Sequence, residues 1–584
     1  MTWTHKQLCQ GRRPSGLFYQ PSSLAQDTLG GELVNKKGSV NRLGLLLLVT
    51  FISLECGCFV GERAETVRSR PGPSQPSQAA EVVADATSPT VEGTAWDWTD
   101  QGEPISGREL WDIAYVAGSK VGYEHTIIEE RKRRGRPLVR IVQKQVLSLR
   151  RFSETVSTTF ELESWQTPEG QLLVFRGKQE QGILPIEFFG WAEGNSLVIE
   201  QKIGGRKERQ QLPWDKSYGG FRAVEESLKH HALRPGEKWT VRYLLPVFNV
   251  VAQTDLEVKG PELVPLLSGT YELLRVDTRT TAPGGFELTG TFWVDQSGEI
   301  LKSYTDLMKL ETYRGTREEA LAESAGIALD WGEDIRVPLA GTLDRPHESE
   351  MVRYRVLLEG GDAARLFAVG PTQAVRRLEN GAVEITVYAL RPGRKSPIST
   401  QIPDDPPKEA DCKPGPYIQS DYPAIVELAA KSTAGLNAPW DIAVALERVA
   451  NQWITDSNYK VGFATAAEVV DSRQGDCTEH ALLLAALARA QNIPARVAMG
   501  LVYNNKAFYY HMWTEVWIDN MWYPLDATLA RGGIGAAHLK MATSSLENSA
   551  ALARMLPLLQ AVGKLKIEIL EARYPSDSPQ ETTP

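Results

Sequence analysis

Gly475-Asp476-Cys477-Thr478-Glu479-His480, running straight into the apolar stretch from Ala481 to Ala490, decides how the C-terminal part of this chain folds. Asp476 and Glu479 make an Asp-x-x-Glu capping pattern ahead of an apolar run, which predicts a helix starting at Asp476. Cys477 then sits in the first turn, where unpaired backbone N–H groups and the positive end of the helix dipole favour a thiolate. In such a position, paired with a histidine, a cysteine pKa falls from about 8.5 to roughly 3.5–7.5. The same N–H groups suit the oxyanion that develops on an attacked carbonyl. Leu482-Leu483-Leu484-Ala485-Ala486-Leu487 carries no polar stripe, so the helix should be buried nearly all round and hold the thiol rigidly.

Working outward, His511-Met512-Trp513-Thr514-Glu515-Val516-Trp517-Ile518 reads as a strand. Alternation puts Met512, Thr514, Val516 and Ile518 on one face, taken as the core side. His511, Trp513, Glu515 and Trp517 share the other, which looks like a cleft wall. Asp519-Asn520 is a turn, and the strand Met521 to Leu525 runs back antiparallel, carrying Asp526 toward the His511 end. Cys477 as nucleophile, His511 as base and Asp526 as the group that orients it make a triad. Trp513 and Glu515 are the candidate substrate contacts, with plain wall packing as the competing reading. A zinc site of Cys477, His480, His511 and Asp526 lacks any Cys-x-x-Cys or His-Glu-x-x-His support, so no metal and no cofactor is expected.

These motifs, together with Ile493-Pro494-Ala495-Arg496 and Trp522-Tyr523-Pro524-Leu525-Asp526-Ala527-Thr528, resemble the bacterial transglutaminase-like superfamily. The resemblance spans roughly Tyr422 to Tyr574. It implies a papain-related α+β fold in which a helix-borne cysteine packs on an antiparallel sheet, with Cys477, His511 and Asp526 as the catalytic set. It implies attack on a carboxamide or peptide carbonyl to give a thioester. Amine acceptance would make the protein a cross-linking acyltransferase; water acceptance would make it a cysteine protease or amidase. Hydrolysis is favoured, since many bacterial members are thought to be hydrolases. Animal transglutaminases add a tryptophan upstream of the cysteine as an oxyanion donor; Trp440 and Trp453 are candidates here, though neither lies in a matching motif.

The remainder of the 584-residue chain is too long for a single domain. Its 42% hydrophobic and 23% charged residues are ordinary globular values, and a formal net charge of −9 argues against a nucleic-acid binder. The five cysteines, Cys9, Cys56, Cys58, Cys412 and Cys477, show no disulfide-framework spacing. Leu43 to Leu54 is a short apolar run behind Lys36, Lys37 and Arg42, the pattern of an export signal or anchor over residues 1–62. Residues 63–106 are Pro/Ser/Gln-rich and read as a disordered linker. From 107 to 320, alternating segments separated by turn clusters predict a mostly antiparallel all-β domain, a large curved sheet or half-barrel. Arg131-Lys132-Arg133-Arg134-Gly135-Arg136 should be a solvated hairpin tip within it. A smaller β segment follows at 335–402, then a Pro-rich connector, the transglutaminase-like catalytic domain at 417–575 and a polar tail at 576–584. In the catalytic domain Ile442, Leu446, Val449 and Trp453 follow a helical spacing behind Pro439.

Together these expectations describe an exported thiol enzyme, periplasmic, envelope-anchored or secreted, acting on a protein or peptide substrate. The N-terminal apolar segment offers a route to membrane association. The competing class is a non-catalytic cell-envelope scaffold whose β units bind a partner and whose transglutaminase-like domain is a relic.

Overall fold

The computed structural model describes residues 96–575 apart from 153, 181–182, 324–329, 394–396, 398–403, 457–462 and 560. The leader with its apolar run, the polar tail and Cys9, Cys56 and Cys58 lie outside the described residues, as does the linker before residue 96. No helix among the described residues is long and apolar enough to cross a membrane.

The expected all-β region is one antiparallel sheet of fourteen strands. Eight form a meander from the sheet's centre to one edge: β1–β8, at Glu103–Val116, Ser119–Arg133, Arg136–Arg151, Glu154–Gln166, Leu172–Glu180, Ile186–Glu193, Ser196–Ile203 and Arg206–Pro213. The chain then crosses by a short helix, Ala223–His230, to the far edge. It returns through β9–β14, at Lys238–Leu245, Val250–Leu266, Gly269–Ala282, Phe286–Val294, Ile300–Thr305 and Leu310–Gly315, until β14 pairs with β1. A twisted sheet this wide curls. One face joins the large core through residues such as Leu162, Phe175 and Phe188. Side chains that alternate with these, Trp165, Val174 and Phe189, point the other way and form a second cluster. Trp96 and Trp98 cover that cluster, so the end of the expected 63–106 linker is packed structure.

The basic run is the expected hairpin: Arg134 and Gly135 both have positive φ, 49° and 79°, and link β2 to β3. Its solvation is partial. Arg133 is buried with its guanidinium 3.7 Å above the Trp96 ring.

The second sheet has nine strands. Its strands are β15–β18 (Val337–Ala340, Met351–Leu358, Gln373–Arg377, Val383–Tyr388) and β19–β23 (Ala495–Asn504, Ala507–Ile518, Met521–Leu525, His538–Ser544, Leu565–Arg573). The segment at 335–402 is therefore hydrogen-bonded into the sheet that carries His511: β15 pairs with β20 and β23, and β16 with β23. The helices Pro423–Ser432, Pro439–Trp453 and Ala466–Ser472 surround a fourth, Cys477–Ala490, which packs on β20. Strands dominate the described residues as a whole, so the fold is mostly β overall, while the C-terminal unit sets its four helices against the second sheet as the expected α+β core does. One contiguous apolar core joins the two sheets. Leu184 N–H donates to Glu468 Oε1 at 2.7 Å and Asn249 Nδ2 to Ser549 Oγ at 3.0 Å across the junction.

Candidate active site

The helix begins where the capping pattern puts it. Asp476 is the N-cap, accepting from the Thr478 N–H at 2.9 Å, and Glu479 reaches back to the Asp476 N–H at 2.9 Å. The second Glu479 oxygen accepts from the Ala464 N–H at 2.9 Å. Burial, and then the neighbouring Asp476 charge, pushes the Glu479 carboxyl well above the usual carboxylate range. Gly475 is required for this geometry: its φ is +149°, and a Cβ there would fall 2.2 Å from Glu479 Cβ. Asp476 also takes the Glu479 N–H, so the oxyanion role expected of the first turn does not fall to the amides of Thr478 and Glu479.

Strand β20 lies against this helix, pinned by the Thr514 hydroxyl donating to the Ala481 carbonyl at 2.9 Å. Asp519 and Asn520, with φ of 47° and 63°, turn the chain into β21, as expected. The turn delivers Asp526, whose Oδ2 lies 2.7 Å from His511 Nε2. The Cys477 thiol is hydrogen-bonded to the same His511 ring. All three sequence-predicted residues thus meet. Burial alone would push His511 down, but the Asp526 carboxylate and Cys477 override it and hold the imidazole well above its usual range. Burial would push Asp526 up; His511 and His538 override it, and the carboxyl stays well below its usual range. The Thr528 N–H and hydroxyl fix the other carboxylate oxygen at 2.9 and 2.5 Å.

Apart from His480, which lies in the capping stretch, the further residues at the site carry no motif. His538, on β22, places Nε2 3.2 Å from the same Asp526 oxygen, and burial pushes its pKa below the ordinary imidazole value. His347, from the loop before β16, stands behind it with ring centroids 6.0 Å apart; burial, then His538, holds it down at about 4. His480 packs its Nδ1 2.6 Å from the Asp476 carbonyl. Glu447 accepts from the N–H groups of Asp526 at 3.0 Å and Gly532 at 2.7 Å, so it holds the loop that presents Asp526. Its helix, Pro439–Trp453, buries Ala443, Leu446, Glu447 and Ala450, while Ile442, Val449 and Trp453 lie at the margins. A hydrophobic-period reading could not select a carboxylate on a buried face.

The two proposed substrate contacts part company. Glu515 is 1% exposed and spends both oxygens on ion pairs, with Arg496 Nε at 2.9 Å and Lys540 Nζ at 2.7 Å. The strand's second face is covered, not an open wall, and Glu515 is a buried structural charge there. Trp513 packs between His511 and His538, with ring centroids 6.1 and 5.4 Å away, and its buried indole N–H finds no hydrogen-bond partner among the described residues. Of the upstream tryptophans, Trp453 gives its indole N–H to the Val470 carbonyl at 2.9 Å. Trp440 packs edge-on against Tyr523.

Donor atoms of His511, Asp526 and His538 lie within 4.8 Å of one another. Both imidazoles already bond one carboxylate oxygen, and a cation among them would separate Asp526 from His511. Cys477 is fully buried and Cys412 half-buried.

Residues 426–527 match the family model of the transglutaminase-like superfamily, an interval that contains Cys477, His511 and Asp526. No curated protein matches the chain. Among solved structures, a candidate cysteine protease from Cytophaga hutchinsonii is 16% identical over 38% of this chain and 81% of its own, with a TM-score of 0.21. The periplasmic domain of TgpA from Pseudomonas aeruginosa, bound to ethylmercury, is 17% identical over 33% of this chain and 78% of its own, at 0.22. A β-barrel-like protein from Brucella abortus is 10% identical over 36% of this chain and 95% of its own, at 0.27. The C-terminal region of this chain carries a core of the transglutaminase-like superfamily.

Proposed function

We propose that this chain is an exported thiol enzyme that cleaves protein or peptide amides through a thioester on Cys477. One observation carries the proposal: the hydrogen-bonded sequence Cys477, His511, Asp526 at the start of a capped, buried helix. The Cys477 thiolate attacks the carbonyl carbon, and the His511 imidazolium gives its proton to the departing nitrogen as the C–N bond breaks. Amine or ammonia leaves, and a thioester remains. Water then attacks; His511 takes one of its protons, the C–S bond breaks, and an acid is released with the thiolate and imidazolium restored. Asp526 holds the ring and stabilises its charged form throughout. Water is the favoured acceptor over a lysine amine, following the resemblance. Export follows the N-terminal apolar run.

Incubating the full chain with casein, with and without a labelled primary amine, separates the outcomes. Peptide fragments or released ammonia without label are expected. Label incorporated into casein would make the protein a transferase. Casein unchanged by either measure would remove the enzyme reading.

A further inference from the structure

An arginine from the fourteen-stranded sheet reaches the start of the catalytic helix. Arg151, the last residue of β3, sets its Nη2 2.7 Å from Asp476 Oδ2, with side-chain exposures of 0% and 2%. Asp476 immediately precedes Cys477, and its other oxygen holds the first turn through the Thr478 N–H. A thiolate forming on Cys477 would therefore arise at the helix start that a buried carboxylate caps. A like charge so close raises a thiol pKa and opposes the field of the helix start.

The arginine is seated on both sides of the site. Phe152, which follows it, has a left-handed φ of 46°, and its N–H donates to Asp330 Oδ1 at 2.7 Å. Asp330 also caps the short helix Trp331–Asp334. The Phe152 ring packs on Tyr509, two positions before His511 on β20, with centroids 6.3 Å apart. One turn thus touches the nucleophile's helix and the base's strand.

The charged and titratable groups around this point come from several elements. Asp476, Glu479 and His480 belong to the helix itself, His511 to β20, Asp526 follows β21, His538 lies on β22, and Arg151 comes from β3. Burial, then the nearby Asp476 charge, pushes the Glu479 carboxyl well above its usual range, and Asp476 is the carboxylate at the helix start that Arg151 meets. The guanidinium is a permanent cation.

We infer that Arg151 is a positioning residue for the thiol chemistry: its guanidinium neutralises the capping carboxylate of Asp476, so the helix start stabilises the Cys477 thiolate. The inference rests on Cys477 being the nucleophile. It makes the centre a composite, completed by the N-terminal sheet.

The test is a pH titration of thiolate ultraviolet absorbance in the full chain, each variant measured against the same variant carrying Cys477→Ala. The subtraction cancels the other four cysteines, and no reagent has to reach a buried thiol. Arg151→Met should raise the midpoint by about one pH unit or more, tenfold in the proton equilibrium. Arg151→Lys should fall between that variant and wild type. Asp476→Asn keeps a good N-cap residue and should lower the midpoint below wild type, since the guanidinium is then unopposed. Combining Arg151→Met with Asp476→Asn should bring the midpoint back toward wild type. If Arg151 only glues the sheets together, its variants would melt earlier while every midpoint coincides with wild type, and the inference falls. Should Arg151→Met fail to fold, the Arg151→Lys and Asp476→Asn midpoints decide by the same signs. A wild-type midpoint at the ordinary value of about 8.5 would instead remove the nucleophile reading itself.

Discussion

Nε2 of His511 lies 2.7 Å from Oδ2 of Asp526, inside a site where both side chains are almost wholly buried. The pair shifts in opposite directions, imidazole up and carboxyl down, after each overcomes the burial that opposes its charge. A group whose folded pKa is raised contributes stability that is complete below its unfolded pKa, about 6.5, and is lost as pH rises through the folded value. The depressed carboxyl contributes stability above its unfolded pKa, about 3.9, that is lost as pH falls through the folded value.

Asp526→Asn removes the anion that keeps His511 protonated. The alkaline limb of the kcat/KM profile should move to lower pH, and kcat should fall by at least about a hundredfold. A pH-rate profile checks both; an alkaline limb at the wild-type position would mean that Asp526 does not govern the base.

His538→Leu leaves the Asp526 oxygen to His511 alone. A hydrogen bond to a charged group is worth about 1.5–3 kcal/mol, so kcat should drop by roughly tenfold or more with little change in KM. Steady-state kinetics on one amide substrate tests it. An unchanged kcat would reduce His538 to a packing residue.

Glu447 should make the fold pH-dependent on its own. Burial, set against backbone donors, pushes its carboxyl up to about 7. A raised carboxyl binds its proton more tightly when folded, so stability falls as pH climbs from about 4.5 to about 7 and then levels. In Glu447→Gln that decline should vanish, leaving a flatter curve of Tm against pH than wild type over this window. Parallel curves would show that Glu447 does not titrate there.

Glu515→Ala should act on the fold. It leaves Arg496 and Lys540 buried without their shared partner, a loss of about 3–5 kcal/mol. Chemical denaturation should show the loss in full. A stable Glu515→Ala with only KM altered would return this residue to substrate contact.

The placement of Cys477, His511 and Asp526 was legible because each sits in local chemistry: a capping box at Asp476, an alternating strand at His511, and an Asn-containing turn before Asp526. The antiparallel all-β region was legible for the same reason, since glycines stand in many of its turns, among them Gly118, Gly135, Gly170 and Gly194. Partners set by tertiary packing were not. Arg151 and His347 reach the site from elements far away in sequence, and Glu447 occupies a buried helix face that periodicity assigns to apolar residues. The ion-paired burial of Glu515 was not legible, because alternation gives the face of a residue without saying what covers that face. The number of strands sharing the β20 sheet was hidden likewise, because β15 and β23 are short on pattern and far apart in the chain.

Everything functional turns on the sulfur of Cys477 forming a covalent acyl intermediate. Quenching the full chain with acid during turnover of an amide substrate, then mapping mass on the peptide containing Cys477, reads that intermediate. An acyl increment on Cys477 in the wild type is expected, with no increment and no turnover in Cys477→Ala. Turnover that persists in Cys477→Ala, with its fold intact, would contradict it.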